Sequence, residues 1–263
     1  MKKQFLWMPA AILTICGATM FTSCSDDDDP VQPEETATDD VRLTKMAIVS
    51  LMPDGSPLAV TTQDITWENG LLKSTNLKLE SSITGDIEKE ENYIYEGKNC
   101  TEVIHGTGTH DRFTYANGRL QSAVSTDSYG GVVRVDVTAY TPDGHISEMT
   151  REITDEGVLN FKASYTLTWE DGDLTKFVRH PIVPAGDDTV ETYTYLDVPS
   201  PFIGYPVAHY IWDADQIAYR GSKHFYNRGE DIKIENGRVV SETDGTNTTY
   251  FVYSDGTGSN YPQ

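Results

Sequence analysis

His105, His110 and Asp111 place two imidazoles and a carboxylate within seven residues, the side-chain types of a metal site or an acid–base pair. Their order weakens that reading. A five-residue separation puts the two rings on opposite faces of a continuous strand, and Gly106 to Gly108 predicts a turn between them. Asp171 with Asp173, and Asp213 with Asp215, offer oxygen ligands for calcium, but neither pair shows the loop spacing of a calcium motif. Cys100, between Asn99 and Thr101, carries a nucleophilic atom in a setting that predicts a half-buried strand cysteine. The chain has no Gly-x-Ser-x-Gly, no His-Glu-x-x-His and no glycine loop to cradle phosphate. With 41 acidic residues, paired carboxylates arise without design and diagnose no glycosidase without geometry. The sequence therefore assigns no catalytic residues, no metal ligands and no cofactor, and predicts a non-enzyme.

Cys24 is the residue with a definite chemistry. Lys2 and Lys3 precede an apolar run from Phe5 to Ile15, and small residues then lead to Ser23-Cys24. The run is shorter than the roughly 20 residues a spanning helix needs. A basic start, a short apolar core and a small residue before a cysteine predict a lipoprotein signal over residues 1–23, with acylation of Cys24. Phe21 stands where such signals usually carry Leu. Cys16 leaves with the signal, so Cys100 is left without a disulfide partner.

Residues 24–40 follow as the lipidated cysteine and an acidic linker. They contain Asp26 to Asp29, Glu34, Glu35, Asp39 and Asp40, with Pro30 and Pro33 between. Like charges and prolines predict an extended, disordered spacer. Residues 25–40 reach at most roughly 55 Å at about 3.4 Å each, enough to hold a domain clear of a lipid surface. Removing Lys2 and Lys3 with the signal leaves 18 basic against 41 acidic residues, a net charge of −23. Such a surface repels phosphate backbones and anionic headgroups, which excludes nucleic acid as a partner. Membrane contact is then expected through the lipid anchor only.

Residues 41–263 predict a single all-β domain. Leu159, Phe161, Ala163, Tyr165, Leu167 and Trp169 alternate with Asn160, Lys162, Ser164, Thr166 and Thr168. Val133, Val135, Val137 and Ala139 alternate with Arg134, Asp136 and Thr138. This is the period of strands with one dry and one wet face. The turns share a frame: Trp67-Glu68-Asn69-Gly70, Tyr115-Ala116-Asn117-Gly118, Trp169-Glu170-Asp171-Gly172, Ile234-Glu235-Asn236-Gly237 and Tyr253-Ser254-Asp255-Gly256. Tyr95-Glu96-Gly97 is one residue shorter and Tyr140 to Gly144 one longer. Asn-Gly and Asp-Gly accept the positive φ of tight hairpin turns. Aromatics from Trp67 to Trp169 are spaced 28, 20, 25 and 29 residues apart, too variable for a solenoid. The prediction is an antiparallel meander of about 12–14 strands rolled into a closed or partly open barrel-like sheet. Lys162 and the threonines of the polar face favour a solvated roll over a membrane barrel.

The Tyr-x-Asn-Gly-Arg-Leu phrase at Tyr115 to Leu120 resembles the tyrosine-aspartate repeats of large β-shell proteins. Most of the mature chain resembles a Bacteroidetes surface lipoprotein family of unknown function with a porin-like β fold. The residues that carry the likeness are the Ser23-Cys24 lipobox, the acidic linker, the serial aromatic-x-Asn/Asp-Gly hairpins and a late insert holding Tyr219 to His224. Porin-like there describes a rolled sheet and does not imply transport. The acidic residues after Cys24 resemble the export signal of such surface lipoproteins. The resemblance implies an outer-membrane, lipid-anchored location facing the cell exterior. Asp188-Thr189-Val190 resembles the O-glycosylation acceptor of the same bacterial group, which makes Thr189 a candidate, and Pro184 to Asp188 before it reads as an exposed loop.

The insert spans about 198–228. It lacks the hairpin frame and gathers Phe202, Tyr205, Tyr210, Trp212, Tyr219, Phe225 and Tyr226, and Asp213 suits the N-cap of a short helix. Two roles suit these aromatics. They form a plug packed over one end of the roll, the favoured reading, or a platform for a sugar or peptide with Tyr210, Trp212 and Tyr219 as its candidate contacts. Two functional classes follow. One is a non-enzymatic binding or accessory module whose partner is a glycan, a peptide or an envelope protein. The other is a carboxylate-dependent hydrolase acting on extracellular glycans, which needs carboxylates converging in a concave pocket.

Overall fold

A computed structural model describes residues 41–52, 57–81, 85–207, 210–227 and 231–259. The signal segment, Cys24 and the acidic linker lie outside the described residues. Among the described residues, no helix is long and apolar enough to cross a membrane.

The first twelve strands form a meander: β1 (Leu43–Leu51), β2 (Pro57–Glu68), β3 (Leu71–Ser81), β4 (Ile87–Glu96), β5 (Asn99–His105), β6 (His110–Ala116), β7 (Arg119–Thr126), β8 (Val132–Tyr140), β9 (Ile146–Asp155), β10 (Val158–Glu170), β11 (Asp173–Val183) and β12 (Thr189–Thr192). Each pairs antiparallel with the next. The chain then forms β13 (Tyr195–Pro199), helix α1 (Ala214–Gly221) and β14 (His224–Tyr226) before β15 (Ile232–Glu235), β16 (Arg238–Asp244) and β17 (Asn247–Tyr253). Strand β17 returns beside β1, with Met46 opposite Phe251. The main sheet has fifteen strands, ordered β12 back to β1 and then β17, β16, β15. This exceeds the expected 12–14 because β12 and β15, at four residues each, are too short to register as periodic runs. The two edges do not pair, so the roll is partly open.

The aromatic-x-Asn/Asp-Gly frames gather at one end of the roll, because each follows a strand running toward that end. At Asn117-Gly118 both residues have positive φ (51° and 73°), as a two-residue hairpin turn demands. Just past most frames, one extra residue enters the ladder. Thr66 pairs Ser74 and Trp67 pairs Leu72; Ile94 pairs Glu102 and Tyr95 pairs Cys100; Thr114 pairs Ser122 and Tyr115 pairs Leu120. The bulge resets which face points inward. Interior residues therefore run Leu72 then Thr75, Cys100 then Val103, Leu120 then Ala123, Ile146 then Met149, and Leu174 then Phe177, all buried.

The insert closes the frame end. Strands β13 and β14 form a separate two-stranded sheet. Lys223 N–H donates to the Gly172 carbonyl and Leu174 N–H to Ser222 Oγ, each at 3.0 Å, which ties the insert to the start of β11. Across the gap, Phe202 and Phe225 meet Phe251 of β17 with centroids 6.0 and 6.1 Å apart. Phe202, Tyr205 and Phe225 are fully buried. The outer wall of β10 exposes Thr166 and Thr168.

Candidate functional site

Inside the roll the wall changes character along each strand. Toward the frame end it is apolar and packs the insert. Two residues farther toward the opposite mouth it becomes polar: Ile65 gives way to Gln63, Tyr93 to Glu91, Val103 to His105, Phe113 to Asp111, and Met149 to Arg151. A cavity of about 430 Å³ lies among these polar groups, and Trp212 of the insert contributes to its lining. The molecule is thus a cup, plugged at the frame end and polar at the other. A smaller cavity of about 340 Å³ remains at the plugged end, between the frame aromatics and Tyr210.

At the centre of the cup wall, His105 bridges two carboxylates. Its Nδ1 is 3.2 Å from Glu91 Oε1 and its Nε2 is 3.2 Å from Asp111 Oδ2. The ladder produces this: Glu91 lies directly opposite His105 across β4 and β5. The turn at Gly106 to Gly108 then brings Asp111 of β6 back along the same face, with Asp111 opposite Val103. Glu91 Oε2 also accepts from Thr75 Oγ1 at 3.1 Å and Tyr93 OH at 3.0 Å. Glu91 and Asp111 are 7% and 5% exposed. Burial opposes a charged imidazole, but hydrogen bonds and charge from Asp111 and Glu91 outweigh it and push His105 up to about 10. His105 is therefore an imidazolium at neutral pH, with both N–H groups engaged. It has no lone pair for a metal or for proton abstraction. Among the described residues, no group of three or more His, Cys, Asp or Glu is placed to hold a metal ion.

Two residues lining the cup each carry a buried polar atom without a partner among the described residues. Gln63 is 2% exposed, and its Oε1 and the buried Nε of Arg151 have no hydrogen-bond partner among the described residues. Trp212 is half-buried, with its ring 6.1 Å from that of Phe113.

The residues singled out from the sequence fall in separate places. His110 lies away from His105, on Glu102 with Arg112: the imidazole Nδ1 is 2.8 Å and the guanidinium Nε 3.2 Å from Glu102 Oε1. Asp171 sits in its turn with φ 52°, whereas Asp173 is buried and holds His224 through Nδ1 at 2.7 Å. Asp213 is the N-cap of α1 and accepts from Asp215 N–H at 3.0 Å. Cys100 is buried, and burial pushes its thiol up to about 12, which leaves it protonated and unreactive. Thr189 lies in edge strand β12, half-buried, and accepts from Arg179 Nη2 at 3.0 Å. Cys24 lies outside the described residues.

The three insert aromatics do not form one surface. Tyr210 is 4% exposed and lines the cavity at the plugged end. Tyr219 packs 5.0 Å from Phe202, and its hydroxyl donates to the Glu242 carboxylate. Trp212 lines the cup instead. Gln63, Glu91 and Arg151 escaped sequence reading. Their signal was parity: each continues the dry-face alternation of its strand but is polar.

No protein-family model matches the chain, and no curated protein matches it. Among solved structures, a porin-like protein from Bacteroides uniformis ATCC 8492 is similar, with TM-score 0.54, 15% identity, and coverage of 81% of this chain and 98% of that one. Two TcdB2–TccC3 structures align with TM-score 0.33 and 10% identity, over 11% and 12% of their own length. The first likeness is one of shape, and with the fifteen-strand sheet it establishes a porin-like β fold for this chain.

Proposed function

We propose that this chain is a non-enzymatic, lipid-anchored envelope protein at the outer-membrane surface, facing the cell exterior, which binds a ligand in the cup. One observation carries the binding reading. The cup holds fixed polar groups and an aromatic floor, yet its central histidine is clamped on both nitrogens by Glu91 and Asp111. Such a site orients a ligand without an activated nucleophile or base. The anchor reading rests on Lys2, Lys3, the apolar run to Ile15, Cys24 and the acidic stretch after it. The porin-like neighbour is consistent with an envelope setting.

A second reading keeps one observation in its favour. Glu91 and Asp111 converge in a concave pocket, as a glycan hydrolase would require. A single experiment separates the two. The full chain, purified in detergent, is incubated with arrays of glycans and peptides, and retained and cleaved species are both measured. Retention of an intact ligand supports the binding role. Turnover abolished by Glu91→Gln or Asp111→Asn supports the hydrolase. Neither retention nor turnover across both arrays overturns the cup as a functional site.

A further inference from the structure

We infer that the cup takes a neutral saccharide unit, stacked on Trp212 and hydrogen-bonded by Gln63 and Arg151. This deepens, and rests on, the reading of the cup as a binding site.

The argument starts from the two unsatisfied atoms. Gln63 Oε1 is an acceptor and Arg151 Nε a donor, both buried, both without a partner among the described residues, and both on side chains that line the same cavity. Buried polar groups are nearly always paired, so an unpaired donor and an unpaired acceptor at one cavity point to a group that completes both. A hydroxyl does so, since it donates and accepts, and a sugar presents hydroxyls on neighbouring carbons. The aromatic floor supplies the other half of saccharide recognition. The Trp212 ring is backed by Phe113 and remains half-exposed where it lines the cup. An indole offers the C–H face of a pyranose a flat apolar surface at low entropic cost.

Charge narrows the class. Glu90, Glu91, Asp111 and Asp127 line the cavity against Lys89, Arg151 and the charged His105. The near balance gives a fully charged ligand little net attraction, and the chain's net charge of −21 repels an anion such as phosphate or a uronate. The cup also offers no ladder for an extended peptide. Its walls are central strands whose backbone groups are already paired to neighbours on both sides. The volume, about 430 Å³, is in the usual range of small-molecule sites.

The test uses the full chain in detergent and three proteins: wild type, Trp212→Ala and Gln63→Leu. Each is titrated by calorimetry with neutral mono- and oligosaccharides and with a panel of short basic and neutral peptides. Gln63→Leu keeps the side-chain volume and removes the unpaired acceptor, so its ligand-free melting temperature should match or exceed wild type. The expected result is saccharide binding that falls at least tenfold in both variants, including the fully folded Gln63→Leu. Peptide binding lost with Trp212, and no saccharide binding, overturns the saccharide class and leaves the binding reading standing. Saccharide binding indifferent to both substitutions places it elsewhere and overturns this site. No binding by either class overturns both.

Discussion

The indole of Trp169 donates its Nε1–H to the carbonyl of Ile146 at 2.8 Å, reaching from the end of β10 to the start of β9. The same relationship recurs around the roll. Tyr140 donates to the Leu120 carbonyl at 2.5 Å, Tyr195 to Leu174 at 2.7 Å, and Tyr253 to Val239 at 2.8 Å. Each acceptor opens the second strand of a hairpin, next to a bulge that interrupts the ladder. The frame aromatics Tyr140, Trp169 and Tyr253, and Tyr195 at the start of insert strand β13, thus each satisfy a carbonyl near the bulge of a neighbouring hairpin. This gives the repeated aromatic a reason beyond apolar burial: its ring packs the frame end and its polar tip fastens adjacent hairpins.

Removing only the polar tip tests that role. Tyr140→Phe and Tyr253→Phe keep the aromatic ring and leave a carbonyl unpaired. Each should cost about 1–2 kcal/mol by denaturant unfolding. Because the two lie in separate hairpins, the double variant should be additive within about 0.5 kcal/mol. Unchanged midpoints in both would reduce the frame aromatics to bulk.

The imidazolium of His105 predicts a pH signature. Its folded pKa, raised to about 10, exceeds the ordinary histidine value of 6.5. Stability from the Glu91–His105–Asp111 bridge is then complete below about pH 6.5 and is lost as pH rises through 10. Chemical unfolding followed from pH 6 to 10 should show a decline that His105→Gln flattens. Equal slopes in both proteins would mean that the bridge is not formed in solution.

Much of this was legible in the sequence, and the failures have a common cause. Strand β10 was readable because Ala163, Tyr165 and Leu167 alternate cleanly with threonines. The hairpin turns were readable because Asn-Gly and Asp-Gly announce positive φ. The bulges were not, since an extra residue such as Lys73 or Gln121 leaves no compositional mark. The cup was hidden for a related reason. Glu91 and Arg151 occupy dry-face parity, yet a charged residue there reads as a break in the pattern. Only the pairing of β4 with β5 brings Glu91 opposite His105. The separation of Trp212 from Tyr210 depends on how the insert turns, which no periodicity encodes.

Turn geometry makes a graded prediction. Gly118 has φ 73° with open space where a Cβ would stand, so Gly118→Val should cost roughly 1–3 kcal/mol from backbone strain alone. Gly172 has φ 87°, and a Cβ there would come within 3.3 Å of Lys223 Cβ. Gly172→Val should therefore be the more damaging of the two in thermal unfolding. The reverse order would argue against the docking of the insert on that turn.

The anchor is testable in cells. Cys24→Ala should move the protein from the membrane fraction to the soluble fraction. Replacing Asp26 to Asp29 by Ala should leave it membrane-bound but reduce its digestion by protease added outside. Unaltered fractionation of the Cys24 variant would remove the lipid assignment.

The insert gives the last prediction, because two aromatics two residues apart have different surroundings. Tyr210 is 4% exposed, and its ring fills space so tightly that a Cβ on Gly221 would come within 2.7 Å of Cε2. Truncating it opens a cavity among packed groups, and Tyr210→Ala should cost about 3–5 kcal/mol. Trp212 is half-buried, with Phe113 the ring beside it and the cup also in contact. Less of it is buried to lose, so Trp212→Ala should cost less than Tyr210→Ala despite deleting the larger side chain. Gly221→Ala should behave as Tyr210→Ala does, since it displaces the same ring from the other side. Thermal melts of the three variants decide the matter. If Trp212→Ala proves the most destabilising, Trp212 belongs to the plug and the cup loses its aromatic floor. If Tyr210→Ala and Gly221→Ala fall together and well below it, the insert divides its aromatics between sealing one end and furnishing the other.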